Sequence, residues 1–585
     1  MSTRQAWSAV GLLALMLVLL RLPTLDTGLH MDDIAQRAMV DGAYPAARSP
    51  WDLYTFSTGE VQEVAGLKRA GALPWWSDPQ LRLSALRPLA SVLVWVDATM
   101  LDPKAAHVHS LLWWLAMLAA LGWALVPILG GRWAWLAIAL YGLDDAHALP
   151  LAWLANRAAI LSGAFGWVVL GLYVRASTGR TSPRTAWLAA ATIACVSAGE
   201  YGLSALAYVG AYAVVLDRRP WQARLRAVAP VLIPAGAYLV LHRVGGFGAE
   251  YSGVYIDPAA EPMAFAGAVL ERSPRLLLDM ATGIPLLLLE GWSLAGIWAV
   301  AILAVGGGGL LVRWLHPQAD RRRIVVWALV AAVVAVVPVC ASFLSERLTV
   351  LASVGVHVVS AAVLLGALER ISERRRHAST VVAGAVTVGL LFGHVWVAPH
   401  SSAAKVEALT RFNAAGLALA EAMPVDDVHA REERWVLLAA GDPMMLVYPP
   451  HLRAMTGHPR PEAWTVLTLA SGPLSMKRIS PVALEITAAS GWMQTPLERF
   501  FRRSDRPLRL GAREGFDGMQ AEVTQVEEGV PKTVRFTFDR PLHDPSLRFM
   551  SVGMRGVFRY PLAGSGATMP LARGADAIAA AAGIP

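Results

Sequence analysis

Charge is what this sequence has least of. Only 16% of its 585 residues are Asp, Glu, Lys or Arg, while 55% are hydrophobic, and the mean hydropathy is +0.47. That balance excludes an ordinary soluble globular chain and makes a polytopic membrane protein the default. Cysteine is nearly absent: Cys195 and Cys340 both lie inside apolar runs, so no disulfide framework is indicated and the redox compartment stays open. There is no C-x-x-C pair to suggest a structural zinc site, and no solenoid repeat. No small-residue cleavage motif follows the first apolar run, which therefore reads as an uncleaved anchor.

What is present is a series of long apolar runs separated by arginine-bearing loops. The net charge of +8 is topological information rather than a groove for nucleic acid, because the arginines cluster in short loops. A crossing helix needs about 20 apolar residues. By that measure about eleven spans are expected, at 7–22, 105–126, 133–151, 153–174, 185–197, 201–216, 227–242, 292–312, 324–343, 348–368 and 380–397. The fifth and sixth are separated only by Ala198-Gly199-Glu200 and read equally as one long helix. Residues 276–289, with Pro285, read as a re-entrant or interfacial piece. With a cytoplasmic N-terminus, the inside loops hold Arg132, Arg175, Arg180, Arg184, Arg218, Arg219, Arg224, Arg226, Arg313, Arg321 to Arg323, Arg370 and Arg374 to Arg376. That satisfies the positive-inside rule and places the C-terminus outside.

The fold class expected is thus a polytopic α-helical membrane domain, residues 1–399, with a long first external loop at 26–88 and an extracytoplasmic α+β or β-rich domain at 400–585. Trp51, Trp75 and Trp76 in the first loop suit the headgroup level. The tail predicts a helix over 406–422, strands at 435–438 and 464–469, a hairpin pairing 521–526 with 533–538, and a frayed end at 574–585.

Several polar constellations fall on the outside turns. Asp32 and Asp33 follow the first apolar run; as adjacent carboxylates they read either as a proton acceptor with a tuned partner or as a helix cap. Asp144, Asp145 and His147 occupy the next outside turn, with Asn156 and Arg157 beyond Trp153. Ionisable groups at that depth are expensive and are functional or paired. Arg87 closes the first loop, Glu200 lies on the third outside turn, and Glu346 and Arg347 lie at the outer end of the tenth span. His107 and His109 read as packed or hydrogen-bonded rather than metal-bound, and spacing secures no metal site.

In order, these motifs resemble those of GT-C-fold glycosyltransferases. Met31-Asp32-Asp33-Ile34 resembles the aromatic-Asp-Asp signature of their first external loop. Arg87-Pro88-Leu89 is similar to the Arg-Pro-Leu that closes this loop in the transmembrane O-mannosyltransferases carrying tetratricopeptide repeats and in their bacterial relatives. His147 through Trp153 to Arg157, Gly199-Glu200-Tyr201-Gly202 and Glu346-Arg347-Leu348 resemble further motifs of that group, over roughly residues 25 to 370. Departures are Asp144 and Asp145 where the relatives often have His and Pro, Leu149 where they often have Glu, Gly199 for Lys, and the absence of the repeats.

The resemblance implies a polyprenyl-phosphate sugar donor and inverting transfer to a hydroxyl on a protein, lipid or glycan outside the cytoplasm, in a bacterial inner membrane. Asp32 or Asp33 would be the base. Arg87, Asp144, Asp145, His147, Arg157, Glu200, Glu346 and Arg347 would bind donor and phosphate, with a divalent metal left open and no nucleic acid involved. A transporter or flippase and a non-catalytic scaffold for the tail are the alternatives. The first is disfavoured by charges gathered at one face rather than at the midplane, and by the lack of evident inverted repeats.

Overall fold

The computed structural model describes residues 3–179, 185–316, 318–372, 377–441, 444–470, 472–516, 518–553, 556–562 and 568–571. Arg180, Arg184, Arg374 to Arg376 and the Ala-rich end at 574–585 lie outside these. The described chain is mostly helical to Glu421, with three short strands, and strand-rich beyond it. It forms two compact units: residues Met1–Thr27, Leu86–Gly246 and Asp257–Glu407 make the first, and Gly28–Ala85, Phe247–Ile256 and Ala408–Pro585 the second.

The first unit is an integral membrane assembly. Among the described residues of the chain seven helices are long and apolar enough to cross a bilayer: Pro103–Leu129, Leu154–Ser177, Trp221–Val244, Leu294–Leu315, Ala319–Val339, Ser353–Ser372 and Thr380–Glu421. The 19-residue helix Thr3–Arg21 precedes them. Pro88–Met100, Thr185–Ala198 and Tyr201–Val215 are shorter apolar helices.

The expected stretches are helical at their cores but differ in extent, for local reasons. The run at 133–151 stops as the helix Gly131–Leu143, because the Asp144 side chain turns back to accept from the Ala146 N–H and caps a 3-10 turn, Asp145–His147. The pair at 185–197 and 201–216 forms two helices and not one. The helix Pro88–Met100 was masked in the sequence by its length and by Asp97. The last run does not end at 397: it passes through a π-helical turn, Phe392–Val397, into Ala398–Glu421. The wider turn lies directly before Pro399, whose missing N–H and bulky ring would otherwise break the helix.

Close helix approach is built on small residues, as membrane packing requires. A Cβ added to Gly355 would collide with the Ala328 backbone carbonyl. Tyr208, from the helix Tyr201–Val215, ties a third helix to the same turn, its hydroxyl accepting from the Gly355 N–H at 2.7 Å and donating to the Ala352 carbonyl at 2.8 Å. The helix ends rich in arginine bind one another: Arg175 lies over Trp123, Arg218 meets Asp320, Arg321 meets Glu369, and Arg323 donates to the Val215 carbonyl.

Among the described residues the second unit holds three sheets. A six-stranded antiparallel sheet orders Thr568–Leu571, Leu474–Ser480, Ala483–Ala488, Val530–Phe538, Met519–Glu527 and Arg513–Phe516. A four-stranded sheet orders Gly556–Arg559, Leu547–Gly553, Arg434–Leu437 and Ala463–Val466, with parallel pairing on both sides of Arg434–Leu437. A three-stranded antiparallel sheet joins Thr55–Thr58, Arg82–Ser84 and Gly248–Glu250.

The expected hairpin is present, closed by Glu528 and Gly529 at φ 50° and 79°, the two-residue turn whose twist matches paired strands. Two first-loop tryptophans are placed differently from expectation. Trp75 and Trp76 are each 2% exposed, in a cluster with Trp492, Phe501 and Phe536. They belong to a protein core, where large aromatics bury most area; Trp51 alone is open, at 63% exposure.

Candidate active site

Two 3-10 turns of the first unit, Asp145–His147 and Glu346–Thr349, pack on each other and gather its polar residues. The first turn is held from both sides. Arg21 donates to the carbonyls of Gly142 at 2.9 Å and Asp144 at 2.7 Å, satisfying the end of the helix Gly131–Leu143. His147 bonds the Tyr141 carbonyl at 2.9 Å and packs edge-on against Tyr141 and Trp114.

Between the turns lies a cluster of acids with few counter-charges. Lys405 Nζ bridges Asp145 at 2.7 Å and Glu346 at 3.2 Å, and the Ser401 hydroxyl donates to Asp145 at 2.6 Å. Asp144 Oδ2 faces His357 Nε2 at 3.4 Å, and the His394 ring lies 5.1 Å from His357. Burial and then the Asp145 charge push Asp144 up to about 6. The same causes, burial first and then Asp145 and Glu346, push Asp279 well above the usual carboxylate range.

Arg347 points away from this cluster. Its Nη1 donates to Asn156 Oδ1 at 3.1 Å and reaches the Tyr201 hydroxyl at 3.5 Å. Its guanidinium lies over the faces of Trp153 at 5.0 Å and Phe343 at 5.5 Å. Among the described residues no carboxylate pairs with it. Tyr201 also donates to Asn156 Oδ1, at 3.2 Å. With two donors on Oδ1, the Asn156 amide orientation is fixed, and its Nδ2 is buried without a hydrogen-bond partner among the described residues.

The other two candidate arginines are neutralised. Arg87 forms a two-point ion pair with Glu200, Nε to Oε2 at 2.9 Å, and lies over the Tyr201 ring. Desolvation, which raises the Glu200 pKa, is outweighed by Arg87, so the carboxyl is held below its ordinary value. Arg157, 1% exposed, contacts Asp97 at 2.5 Å. Asp97 also accepts from His109 Nδ1 at 2.7 Å, and His109 Nε2 accepts from Trp113 at 2.9 Å. His107 is likewise hydrogen-bonded, to Thr27 and to the Leu151 carbonyl.

Asp144, Asp145 and Glu346 therefore share one cluster. Arg347, Arg87 and Glu200 meet around Tyr201, while His147 and Arg157 have separate partners.

Asp32 and Asp33 belong to the second unit and open the helix Asp32–Val40. Asp33 is 4% exposed and accepts from the His30 N–H at 3.0 Å, which closes the turn leading into the helix. Asp32 is half-buried at the helix N-terminus, where the dipole favours its charge. Met31, just before it, has φ 43°, a strained value for a residue with a side chain. Burial, Asp32, Tyr44 and Asp33, in that order, raise the Tyr448 pKa.

Asp97, Asp279, His357 and His394 escaped sequence reasoning. Their signal was an ionisable residue inside an apolar run. Arg21 and Lys405 carried no such signal, since each sits near an expected span end. Among the described residues no group of three or more His, Cys, Asp or Glu is disposed to hold a metal ion.

No protein-family model matches the sequence, and neither does any curated protein. In overall fold it is similar to the Archaeoglobus fulgidus oligosaccharyltransferase tethered with an acceptor peptide, at 12% identity and a TM-score of 0.42, over 79% of this chain and 64% of that one. The A. fulgidus oligosaccharyltransferase AglB, in complex with an inhibitory peptide and a dolichol-phosphate, gives 12% identity and a TM-score of 0.41 over 76% and 64%. ArnT from Cupriavidus metallidurans, bound to undecaprenyl phosphate, gives 15% and 0.38 over 77% and 85%. The chain spans about 64% of the length of the two archaeal chains. These distant likenesses assign no residue a role.

Proposed function

We propose that this protein is a GT-C-type membrane glycosyltransferase that moves a sugar from a polyprenyl phosphate to an acceptor hydroxyl on the extracytoplasmic side. One observation carries the reading: among the described residues Arg347 is held by neutral partners only, next to an Asn156 amide nitrogen that has no hydrogen-bond partner among them. A guanidinium kept in place by an amide, a phenol and two ring faces retains its charge and its remaining N–H donors for an anion. Arg87 and Arg157 already have carboxylates. Arg347 is therefore assigned to the donor phosphate, with Asn156 as second donor. Asp144, Asp145 and Glu346, which would repel a phosphate, hold the turn that presents Arg347.

In the proposed step the acceptor oxygen attacks the anomeric carbon. The new C–O bond forms as the bond to the phosphate oxygen breaks, and its electron pair leaves with the phosphate. The acceptor proton passes to a carboxylate, and the departing phosphate is stabilised by Arg347 without needing a proton. Asp32 is the preferred base, because it is half-buried where Asp33 is only 4% exposed. Attack opposite the leaving group inverts the anomeric centre.

The test is binding of undecaprenyl phosphate to the purified full-length protein in detergent. Arg347→Gln is expected to weaken binding by about 10- to 100-fold, the size of one charge-assisted contact. Arg347→Lys should fall between, since lysine keeps the charge without the fork. Unchanged affinity in Arg347→Gln would remove Arg347 from the phosphate site. Release of polyprenyl phosphate from a panel of undecaprenyl-phosphate hexoses, mannose first, should cease in Asp32→Asn; a transporter or scaffold would be indifferent to that change.

A further inference from the structure

The helix that bears Asp32 is anchored at its other end by residues more than 400 positions along the chain. Arg460 donates through Nη1 to the Ala43 carbonyl and through Nη2 to His451 Nδ1, at 2.8 Å. The His451 ring stacks on Tyr44, centroids 6.1 Å apart and planes 22° apart. Ala43 and Tyr44 both return their N–H groups to the Ala38 carbonyl, so the turn that Arg460 grips is continuous with the helix Asp32–Val40. Tyr44 and His451 are 8% and 5% exposed. Because Arg460 donates to Nδ1, that nitrogen is bare and the His451 proton sits on Nε2. Among the described residues no carboxylate pairs with Arg460, so its contacts are spent on this turn.

A nine-residue helix is a rod of about 13 Å. Fixing one end sets the direction of the other, where Met31 holds a strained φ that persists only if the surroundings enforce it. We infer that Arg460, acting through His451 and Tyr44, is a positioning residue that aims the Asp32 carboxylate. The inference rests on the reading of Asp32 as base. It gives the C-terminal sequence a part in the reaction beyond that of an appended domain.

Hydrogen exchange of the peptide covering residues 30–44, in the full-length protein, tests the clamp without reference to activity. Arg460→Ala should speed exchange there and leave the membrane helices unchanged. With an undecaprenyl-phosphate hexose as donor, kcat should fall about 10- to 100-fold, as for a catalytic group displaced by about 1 Å, with the donor KM within about twofold. Arg460→Lys should recover part of the loss. If Arg460→Ala does not fold, His451→Phe, which keeps the stack on Tyr44 and removes the acceptor, should give a smaller loss of the same kind. Wild-type exchange, or faster exchange with unchanged kcat, overturns the inference. Full turnover by Asp32→Asn overturns the reading of the base, and the purpose of the clamp with it.

Discussion

At the scale of single residues, the contact between Asp144 and His357 has a proton count. His357 Nδ1 lies 2.7 Å from the Ser353 carbonyl, which can only accept, so the neutral ring carries its proton there and Nε2 is bare. Nε2 faces Asp144 Oδ2, and neither atom has another hydrogen-bond partner among the described residues. Two lone pairs oppose each other unless a proton lies between them. The raised pKa of Asp144, about 6, agrees with a carboxyl that keeps its proton longer than the unfolded chain does. Its contribution to stability is therefore fully present below about pH 4 and is lost as the pH rises through about 6. A shift of about two units corresponds to roughly 3 kcal/mol at most.

Asp144→Asn supplies a permanent N–H to His357 Nε2 and leaves Oδ1 to accept from Ala146. It should raise the unfolding temperature at pH 8 and flatten its dependence between pH 4 and 7, as scanning fluorimetry of the detergent-solubilised protein would register. An unchanged pH dependence in that variant would locate the proton elsewhere. In the sequence, Asp144 and Asp145 were visible as a pair. His357 was not, because nothing marks one histidine in an apolar helix as the partner of a turn more than 200 residues away.

At the scale of elements, the sequence was informative at Glu346 and Arg347, which marked the turn before Ser353–Ser372, and less so at 133–151, where a hydropathy window ran a span past the helix end at Leu143. What a window cannot see is the neighbour across a crossing. Gly355 looks like a weak helix residue, yet it is where the Ala328 backbone comes into van der Waals reach. Gly355→Leu should therefore cost more than helix propensity, which would favour leucine by about 1 kcal/mol. Backbone cannot yield as a side-chain tip can, and overpacking costs about 1–3 kcal/mol or more. The expected result is a lower thermal midpoint, and displacement of the turn carrying Arg347 should weaken undecaprenyl phosphate binding as well. Gly384, with nothing within 4 Å of an added Cβ, is the control: Gly384→Leu should leave both properties unchanged.

At the scale of the molecule, the membrane class followed from composition, but the second unit could not be read as a contiguous stretch. Residues Gly28–Ala85 look like a loop because they lie between apolar runs. Their tryptophans look interfacial for the same reason. The unit is assembled from three separate pieces of chain, and only tertiary packing reports that. Trp75 makes the consequence testable. It is 2% exposed, stacks edge-on with Trp492 and Phe536, and donates its indole N–H to the Leu467 carbonyl at 2.9 Å. An interfacial tryptophan would tolerate replacement by another apolar residue. A core tryptophan leaves a cavity and an orphaned carbonyl, and Trp75→Ala should cost about 3–5 kcal/mol. Limited proteolysis of the full-length protein should then cut at residues 28–85 and at 463–540 together, because both stretches share that core, while the helices of the first unit stay resistant. Cleavage confined to 28–85 would instead mean that the C-terminal strands hold without Trp75, and that residues 28–85 are an ornament on them rather than part of their interior.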